Sequence, residues 1–260
     1  MIYGYNGGSI SFCDGGIRLS APLFSVVVPA YNQHKFINSC LKSLQNQTVT
    51  DFEVFVVDDC STDDTADQIA AFVARDNRFH LVAHAHNRGV SAARNSGMAR
   101  AHGQYLCFID GDDWVDTNFL ANFQAAYRDH PGSQLVICDH YGYLSVPSKS
   151  KVYNQKQLID NINFGTVGGF AWNKCFIREI ITDHQLKFNE TIDFLEDQLF
   201  AFQYANYVHQ APYIATKTYH YRWRFRSNLA HFGIPFFVAR RKMLKLLKQQ
   251  PTAVPDDDLK

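Results

Sequence analysis

Acidic side chains crowd together at residues 110–113, Asp-Gly-Asp-Asp, directly after the apolar run 105–109. Neighbouring carboxylates repel each other, so this arrangement costs stability unless a cation offsets the charge. Hard divalent cations prefer oxygen ligands, and Mg²⁺ or Mn²⁺ commonly keeps waters and substrate phosphates among its ligands. The segment therefore predicts a site for a metal-bound phosphate. The alternative is a solvated turn, because Asp-Gly is a common turn dipeptide.

Two further polar segments end apolar runs earlier in the chain. Asp58-Asp59 follows the run 52–57, and residues 29–32, Pro-Ala-Tyr-Asn, follow the run 24–28. The Asp59 carboxylate could accept a hydrogen bond from a nucleobase, while the 29–32 segment offers an aromatic face for stacking and an amide for orientation. The simpler alternatives are a helix N-cap for the acidic pair and an ordinary strand-ending turn.

The apolar patterns around these segments alternate between strand and helix. Short β-branched or aromatic runs predict strands, and apolar residues at helical spacing predict the helices between them. Strands are predicted at 24–28, 52–57, 79–83 and 105–109, and helices at 33–46, after Ser61 or Thr62, and at 90–101. This alternation indicates a parallel sheet with right-handed crossovers. Ligands of such sheets bind beyond the carboxyl ends of the strands, where the three polar segments would converge.

The rest of the sequence is less regular. Residues 1–21 are rich in glycine, and we expect a leader with little regular structure. Further strands are predicted at 134–138 and 213–223, and helices at 116–129, 155–163, 194–206 and 234–249. The last helix is basic, and it could contact a membrane surface or a partner, although basic residues on a helix usually form a solvated face.

Composition narrows the class of protein. The 260 residues are 46% hydrophobic and 19% charged with zero formal net charge, which supports a sizeable core and argues against a nucleic-acid binder. The six cysteines are widely spaced and form no CxxC pair, so a disulfide framework or a structural zinc site is not expected. No signal peptide or membrane-spanning run is evident. We therefore expect a reduced, cytoplasmic protein.

Four segments together resemble the family 2 glycosyltransferases of the GT-A fold. They are FSVVVPAYNQHKFINSCLKSLQNQT, FEVFVVDDCSTDDT, NRGVSAARNSGMARAHGQYLCFIDGDDW and FLEDQLF, and the resemblance covers roughly residues 22–228. It implies an α/β fold with a Rossmann-like, mostly parallel sheet flanked by helices and a less regular acceptor-side part. It also implies inverting, metal-dependent transfer of a sugar from a UDP-sugar to a carbohydrate hydroxyl. Relatives act in capsule, lipopolysaccharide or exopolysaccharide synthesis.

The resemblance assigns roles to individual positions. Those expected to bind the donor are Pro29, Tyr31, Asn32, Asp59, Arg88, Arg94 and Asp110. In the DxD motif, Asp112 with Asp110 is expected to hold Mn²⁺ or Mg²⁺, with His220 as a further candidate ligand. In the ED motif, Asp197 is the expected catalytic base and Glu196 positions its neighbours. Acceptor-side candidates are Trp172, Lys174 and Arg222. Plain structural roles, such as surface charge for the arginines or a core position for Trp172, are the alternatives.

We accordingly divide the chain into a leader (1–21), a nucleotide-sugar-binding half (22–115), an acceptor-side half of the same GT-A domain (116–232), and a basic C-terminal helix and tail (233–260). The expected partners are a UDP-sugar donor and a saccharide or lipid-linked saccharide acceptor, with no nucleic acid. The basic helix could bring the protein to the inner face of the plasma membrane. The alternative function is a non-catalytic nucleotide-sugar-binding or interaction module of a larger synthase.

Overall fold

The computed structural model of the chain describes residues 11–13, 16–18, 21–142, 149–164, 168–192, 194–222 and 234–248. The strands are β1 (Ser11–Cys13), β2 (Gly16–Arg18), β3 (Phe24–Ala30), β4 (Phe52–Asp58), β5 (Phe79–Ala83), β6 (Tyr105–Phe108), β7 (Trp114–Val115), β8 (Leu135–Tyr141), β9 (Lys151–Tyr153), β10 (Lys174–Ile177) and β11 (Ala211–His220). The helices are α1 (Ile37–Gln45), α2 (Thr65–Val73), α3 (Val90–Met98), α4 (Phe119–Asp129), α5 (Gln155–Phe164), α6 (Arg178–Asp183), α7 (Glu196–Ala205) and α8 (Ile234–Lys248).

Nine of these strands form one sheet in the order β5-β4-β3-β6-β10-β8-β11-β7, with β9 also paired to β11. The first four strands in this order are mutually parallel, as predicted from the strand–helix alternation. β10 runs antiparallel between β6 and β8. β11 lies parallel to β8, and its other edge pairs antiparallel with β7 and β9. The predicted mixed α/β architecture with a mostly parallel sheet is confirmed.

The core lies on both faces of the sheet because successive strand residues point to opposite sides. Val27 and Val57 belong to one buried cluster, which also receives α5 and α7, whereas Val26 and Val28 belong to the other. Helix α3 packs very closely on β3: a Cβ at Gly97 would lie 2.4 Å from Cγ1 of Val27. The small residues of α3 thus permit the approach that brings its side chains over the sheet.

Some local elements were not predicted. Residues 11–13 and 16–18 pair as a small antiparallel ladder within the segment expected to have little regular structure. Residues 1–10, 14–15 and 19–20 of that segment lie outside the described residues, as do residue 223 at the end of the predicted 213–223 strand and the residues after 248. Strands β7, β9 and β10 and helix α6 were missed. They are short, and their pairing depends on distant partners rather than on a local periodic pattern.

The basic helix is present as α8, and it is partly embedded. Met243 and Leu247 are buried in the same core cluster as α7, while Arg241, Lys242 and Lys245 are exposed. Within the described residues, no helix is both long and apolar enough to cross a bilayer. The five cysteines whose side chains are described are all free thiols.

Candidate active site

An open cavity of about 420 Å³ lies at the carboxyl ends of β3, β4 and β6. Its volume falls within the range typical of small-molecule sites. Residues from all three predicted polar segments line it: Pro29, Tyr31, Asp59, Asp110 and Asp112, together with Arg94 from α3. The structure thus brings together segments that lie up to about 80 positions apart, because parallel strands end at one edge of the sheet.

Asp59 organises the part of the cavity expected to hold a nucleobase. Its Oδ1 lies 2.6 Å from Nδ1 of His84 and accepts the backbone N–H of Arg88 at 2.9 Å, while Oδ2 accepts the N–H of Gly89 at 2.7 Å. Gly89 has a φ of +86°, which favours glycine. His84 Nε2 in turn lies 2.8 Å from Oγ of Ser96. The sequence analysis missed His84 because nothing in its local pattern indicates this contact.

The two residues after β3 have different surroundings: Tyr31 lines the cavity, and Asn32 contacts a neighbouring loop. Tyr31 is 43% exposed on the cavity wall, so one ring face is open to a ligand. Asn32, expected to bind the donor, does not line the cavity. Its Oδ1 accepts the backbone N–H of Thr62 at 2.8 Å, and its own N–H donates to Oγ of Ser61 at 3.0 Å. The Asn32 side chain therefore joins two loops in this structure, and its contact with the donor stays a prediction.

Arg88, expected to bind the donor, is not among the residues that line the cavity. Its Nη2 donates to Oε2 of Glu190 at 3.2 Å, and both side chains are about 40% exposed. An ion pair this exposed contributes little to stability. The buried contribution of Arg88 to the site comes from its main-chain N–H on Asp59.

The 110–113 segment carries more negative charge than its surroundings neutralise. Asp113 is 1% exposed, and it accepts the Tyr219 hydroxyl at 2.6 Å and the Arg222 N–H at 2.7 Å. Burial, followed by the charges of Asp110 and Asp112, nevertheless raises the pKa of Asp113 to about 8. The repulsion inferred from the sequence is therefore present in the fold.

Asp110 and Asp112 are the carboxylates of this segment that line the cavity. Carboxylate oxygens suit Mg²⁺ and Mn²⁺, and Mg²⁺ is usually held by one or two carboxylates with substrate phosphates and waters completing its shell. Among the described residues, three candidate ligand atoms converge at His34, Asp63 and Asp64 on the surface and not in this segment. The two cavity aspartates fit a cation that substrate phosphates help to bind.

His220, a candidate metal ligand, is engaged elsewhere. Its Nε2 lies 2.8 Å from Oδ1 of Asp116, and its ring is stacked between Trp114 at 4.9 Å and Tyr141 at 4.6 Å. The structure therefore does not support His220 as a metal ligand, because its ring is packed between two aromatic side chains and its Nε2 contacts Asp116.

Arg94 joins the two acidic motifs across about 100 residues of sequence. Its side chain is 4% exposed, and Nη2 donates to Oδ1 of Asp110 at 2.9 Å. Nη1 donates to Oε1 of Glu196 at 3.0 Å and to Oδ1 of Asp197 at 2.5 Å. Although burial opposes it, the charges of the three carboxylates raise the pKa of Arg94. Arg94 was expected on the donor side, and its contact with the ED motif was not predicted.

The Nε atom of Arg94 is buried and has no hydrogen-bond partner among the described residues. Buried donors are rarely left unpaired, and each such group calls for an explanation. Other atoms of Arg94 line the cavity, where the positive charge of the guanidinium can attract an anionic ligand.

Asp197 lies in the first turn of α7, two residues after Leu195, which has a φ of +66°. Its Oδ2 accepts the backbone N–H of Ala171 at 3.1 Å. Burial raises the pKa of Asp197 to about 7; the guanidinium of Arg94 opposes this shift, and the charges of Glu196 and Asp110 add to it. A carboxylate with a pKa near 7 can accept a proton efficiently at neutral pH.

Lys174, expected on the acceptor side, is wholly buried. Its Nζ donates to the carbonyl oxygens of Gly168 at 2.9 Å and Phe170 at 2.7 Å, and to Oδ1 of Asn173 at 2.9 Å. Burial lowers the pKa of this lysine to about 7. In this structure its ammonium group holds the loop that presents the Ala171 N–H to Asp197.

The other two acceptor-side candidates are also packing residues. Trp172 is 2% exposed and stacks on Tyr219 at 4.5 Å, so no face is open to a sugar. The Arg222 guanidinium lies between the rings of Phe36 at 4.7 Å and Trp114 at 4.5 Å, and its Nε donates to the carbonyl oxygen of Asp112 at 2.7 Å. The Arg222 guanidinium therefore holds the acidic segment in place.

Comparisons with known proteins agree with this geometry. A family model described as "Glycosyl transferase family 2" matches residues 25–184. The chain is 32% identical over 245 residues to "Putative glycosyltransferase EpsH" of Bacillus subtilis (strain 168), covering 87% of this chain and 70% of that protein. It is 29% identical over 202 residues to the poly(ribitol-phosphate) beta-N-acetylglucosaminyltransferase TarS of Staphylococcus aureus (strain Mu50 / ATCC 700699), covering 76% of this chain but 35% of TarS.

Solved structures share the fold. The crystal structure of S. aureus TarS 1-349 in complex with UDP-GlcNAc matches with a TM-score of 0.75 and 23% identity, over 91% of this chain and 69% of that one. The mannosyltransferase PcManGT from Pyrobaculum calidifontis, in complex with GDP-Man and Mn²⁺, matches with a TM-score of 0.67 and 20% identity, over 92% of this chain and 68% of that one. At these identities the likeness shows the fold alone, which is the GT-A fold expected from the sequence.

Proposed function

The chain belongs to glycosyl transferase family 2, and we propose that it transfers a sugar from a UDP-sugar to a carbohydrate hydroxyl with inversion at the anomeric carbon. The observation that carries the proposal is the Arg94 network. It joins Asp110, on the cavity expected to hold the nucleotide diphosphate, to Asp197, which is poised to accept a proton. One guanidinium group thus contacts both a residue of the donor cavity and the proposed base.

The nucleotide part of the proposal rests on the Asp59 and Tyr31 end of the cavity. Asp59 is fixed by two backbone N–H groups and His84, so its carboxylate presents a preset acceptor. An imide N–H, as in uracil, can donate to such an acceptor, and the exposed Tyr31 ring can stack on the base. The S. aureus TarS structure in complex with UDP-GlcNAc supports a UDP-sugar as donor.

In the proposed reaction, the acceptor hydroxyl oxygen forms a bond to the anomeric carbon as the bond from that carbon to the diphosphate oxygen breaks. Asp197 accepts the hydroxyl proton. Arg94, on the cavity wall, stabilises the diphosphate through its positive charge, and UDP leaves with the electron pair of the broken bond. Attack from the face opposite the leaving group inverts the anomeric configuration. A divalent cation held by Asp112 and Asp110, Mn²⁺ or Mg²⁺, would supply further charge neutralisation for the diphosphate.

The proposed acceptor is a saccharide of a bacterial cell-surface polymer, free or lipid-linked. Support comes from the names of the relatives, which include the poly(ribitol-phosphate) transferase TarS and a "Putative teichuronic acid biosynthesis glycosyltransferase TuaG". The exposed Arg241, Lys242 and Lys245 of α8 further support peripheral contact with an anionic membrane surface, such as the inner face of the plasma membrane. Replacing all three by glutamate should abolish sedimentation with phosphatidylglycerol vesicles at low salt. Unchanged sedimentation would refute the membrane contact.

Thermal unfolding with UDP, CDP, GDP or dTDP, each with and without Mn²⁺, tests the donor class. A ligand at 100 times its Kd stabilises the native state by about 2.7 kcal/mol. We expect a metal-dependent rise of the unfolding temperature with UDP and a smaller effect of the other nucleotides. No rise with any nucleotide would contradict the proposal.

The base is tested by Asp197→Asn, with Asp160→Asn on the exposed face of α5 as the matched control. Asp197→Asn should retain the UDP-induced thermal shift and lose transfer, whereas Asp160→Asn should retain both. Loss of the thermal shift in Asp197→Asn would assign that residue to donor binding instead. A wild-type protein that binds UDP but transfers no sugar to any acceptor would be a non-catalytic binding module.

A further inference from the structure

Among the contacts of the described residues, the Asp59 carboxylate retains one unused acceptor position. A carboxylate offers about four lone-pair positions, two on each oxygen. Oδ1 of Asp59 uses both of its positions, on Nδ1 of His84 at 2.6 Å and on the backbone N–H of Arg88 at 2.9 Å. Oδ2 uses one, on the N–H of Gly89 at 2.7 Å. Because Asp59 lines the active-site cavity, the second position of Oδ2 is the one that a bound base can use.

His84 is held at both nitrogens of its ring. An ionised carboxylate can only accept hydrogen bonds, so Nδ1 of His84 carries the proton that points to Asp59. Nε2 lies 2.8 Å from Oγ of Ser96 in α3, and in the neutral ring it accepts a hydrogen bond from that hydroxyl. The His84 side chain is 6% exposed. A donor that is buried and held in this way keeps its position on Oδ1 when a ligand enters the cavity.

The number of open acceptor positions matters because the pairing edges of the nucleobases carry different donors. Uracil presents one ring N–H between two carbonyl oxygens, whereas guanine presents a ring N–H with an amino group beside it. The two donors of guanine together match both oxygens of a carboxylate. With Oδ1 of Asp59 already occupied, the guanine amino group finds no acceptor there. A donor left unpaired at a buried carboxylate costs binding free energy.

We propose that His84 is a positioning residue that restricts the nucleotide site to bases with a single donor at this edge, as uracil has, because it keeps Oδ1 of Asp59 occupied. The proposal rests on the proposed function for the place of the base in the cavity. His84 acts through Asp59 and is not among the residues that line the cavity. A site that leaves a polar group of the wrong ligand unpaired discriminates more strongly than one that differs only in apolar contacts.

Inosine diphosphate and GDP isolate the effect of the amino group, because they share the purine ring system and differ only in that group. Isothermal titration calorimetry of the full chain with Mn²⁺ present would measure the Kd of UDP, inosine diphosphate and GDP. We expect the wild type to bind UDP most tightly. We also expect it to bind inosine diphosphate about tenfold more tightly than GDP, a difference of about 1.4 kcal/mol.

Three variants assign the preference to the His84 donor. His84→Phe keeps an aromatic ring but removes the N–H, so Oδ1 of Asp59 regains a position for the guanine amino group and the preference for inosine diphosphate should disappear. His84→Asn should keep the preference, because its amide nitrogen takes nearly the place of Nδ1. His102→Phe is the matched control and should behave as the wild type, since Nδ1 of His102 lies 3.4 Å from Oε2 of Glu53 and neither residue lines the cavity.

The ratio of the Kd values for GDP and inosine diphosphate separates a role in base selection from a structural one. If His84 only stabilised the loop, His84→Phe would weaken both nucleotides equally and leave the ratio unchanged, and that result would overturn the proposal. A wild type that bound the two purine nucleotides equally, or bound neither, would overturn it as well. A wild type that preferred inosine diphosphate to GDP but did not bind UDP would support the role of His84 and contradict the proposed UDP-sugar donor.

Discussion

Replacing Arg94 by methionine should move the pH dependence of sugar transfer. In the wild type the pKa of Asp197 is about 7, with Arg94 Nη1 at 2.5 Å opposing the effect of burial. An opposite charge at such a distance lowers the pKa of a carboxyl by about 1–3 units. Its removal should therefore raise the pKa of Asp197 to about 8–10. At pH 7 the ionised fraction then falls from about one half to between about one tenth and one thousandth, so transfer slows by about 5- to 500-fold.

The assay is kcat/KM for transfer at pH values from 5.5 to 10, alongside UDP binding measured by titration. Arg94→Lys is the matched variant. Its ammonium keeps the positive charge but cannot reach Asp110 and Asp197 together as the guanidinium does. We expect the acid limb of the profile to shift upward most in Arg94→Met and less in Arg94→Lys, with both variants recovering part of their activity at high pH. Circular dichroism at each pH would confirm that the variants remain folded.

A uniform loss of activity would refute this reasoning. If the acid limb of Arg94→Met coincided with that of the wild type while the rate fell equally at every pH, Arg94 would act on the donor alone. The ion pair with Asp197 would then have no part in setting the proton affinity of the base. An unchanged limb in Asp197→Glu as well would remove Asp197 from the assignment of that limb.

Three further outcomes are expected. A raised carboxyl pKa means that the folded protein binds the proton more tightly than the unfolded chain. Asp113 therefore lowers the stability of the fold as pH rises from about 4 to about 8. The unfolding temperature of Asp113→Asn, measured with metal absent, should fall less between pH 6 and 9 than that of the wild type. Lys174→Met should lower the free energy of unfolding, measured in urea, by about 1–3 kcal/mol, because buried carbonyl oxygens lose their hydrogen-bond donor. The same variant should have a lower kcat and an unchanged KM for the donor. A wild-type kcat would contradict the role of Lys174 in holding the loop. Gly97→Ala should lower the free energy of unfolding by about 1–3 kcal/mol, because the added methyl group overpacks against Val27. Adding Val27→Ala should restore part of that free energy. Equal stability of Gly97→Ala and the wild type would disprove the close packing.

The parallel half of the fold was predictable because its signals are local. Each strand is a short run of β-branched or aromatic residues, and each following helix has its own apolar period, so the order of the elements sufficed to derive the sheet. The polar segments at the strand ends were predictable for the same reason. Tyr31, Asp59, Asp110 and Asp112 lie in the cavity because the chain leaves the sheet where they occur.

The other half depends on contacts that no local pattern contains. Strand β10 is four residues long and pairs with β6 and β8, which lie about 70 and 40 residues earlier in the chain. Lys174, Trp172 and Arg222 were expected at the acceptor because their segments resemble the acceptor-side and closing segments of family members. In the structure Lys174 and Trp172 are buried, and their burial follows from the position of β10 and β11 in the assembled sheet. A lysine satisfied by two main-chain carbonyls is not distinguishable by sequence from one at the surface.

The charges of the site explain why binding of the donor should change the proton affinity of Asp197. Arg94 contributes one positive charge against Asp110, Glu196 and Asp197, so any diphosphate entering the cavity adds to an existing negative excess. A diphosphate beside Arg94 adds negative charge near Asp197, and a nearby like charge raises the pKa of a carboxyl. Donor binding should thus raise the proton affinity of Asp197 at the moment when an acceptor hydroxyl needs a base. Without the donor, Arg94 keeps that carboxylate paired and less able to accept a proton.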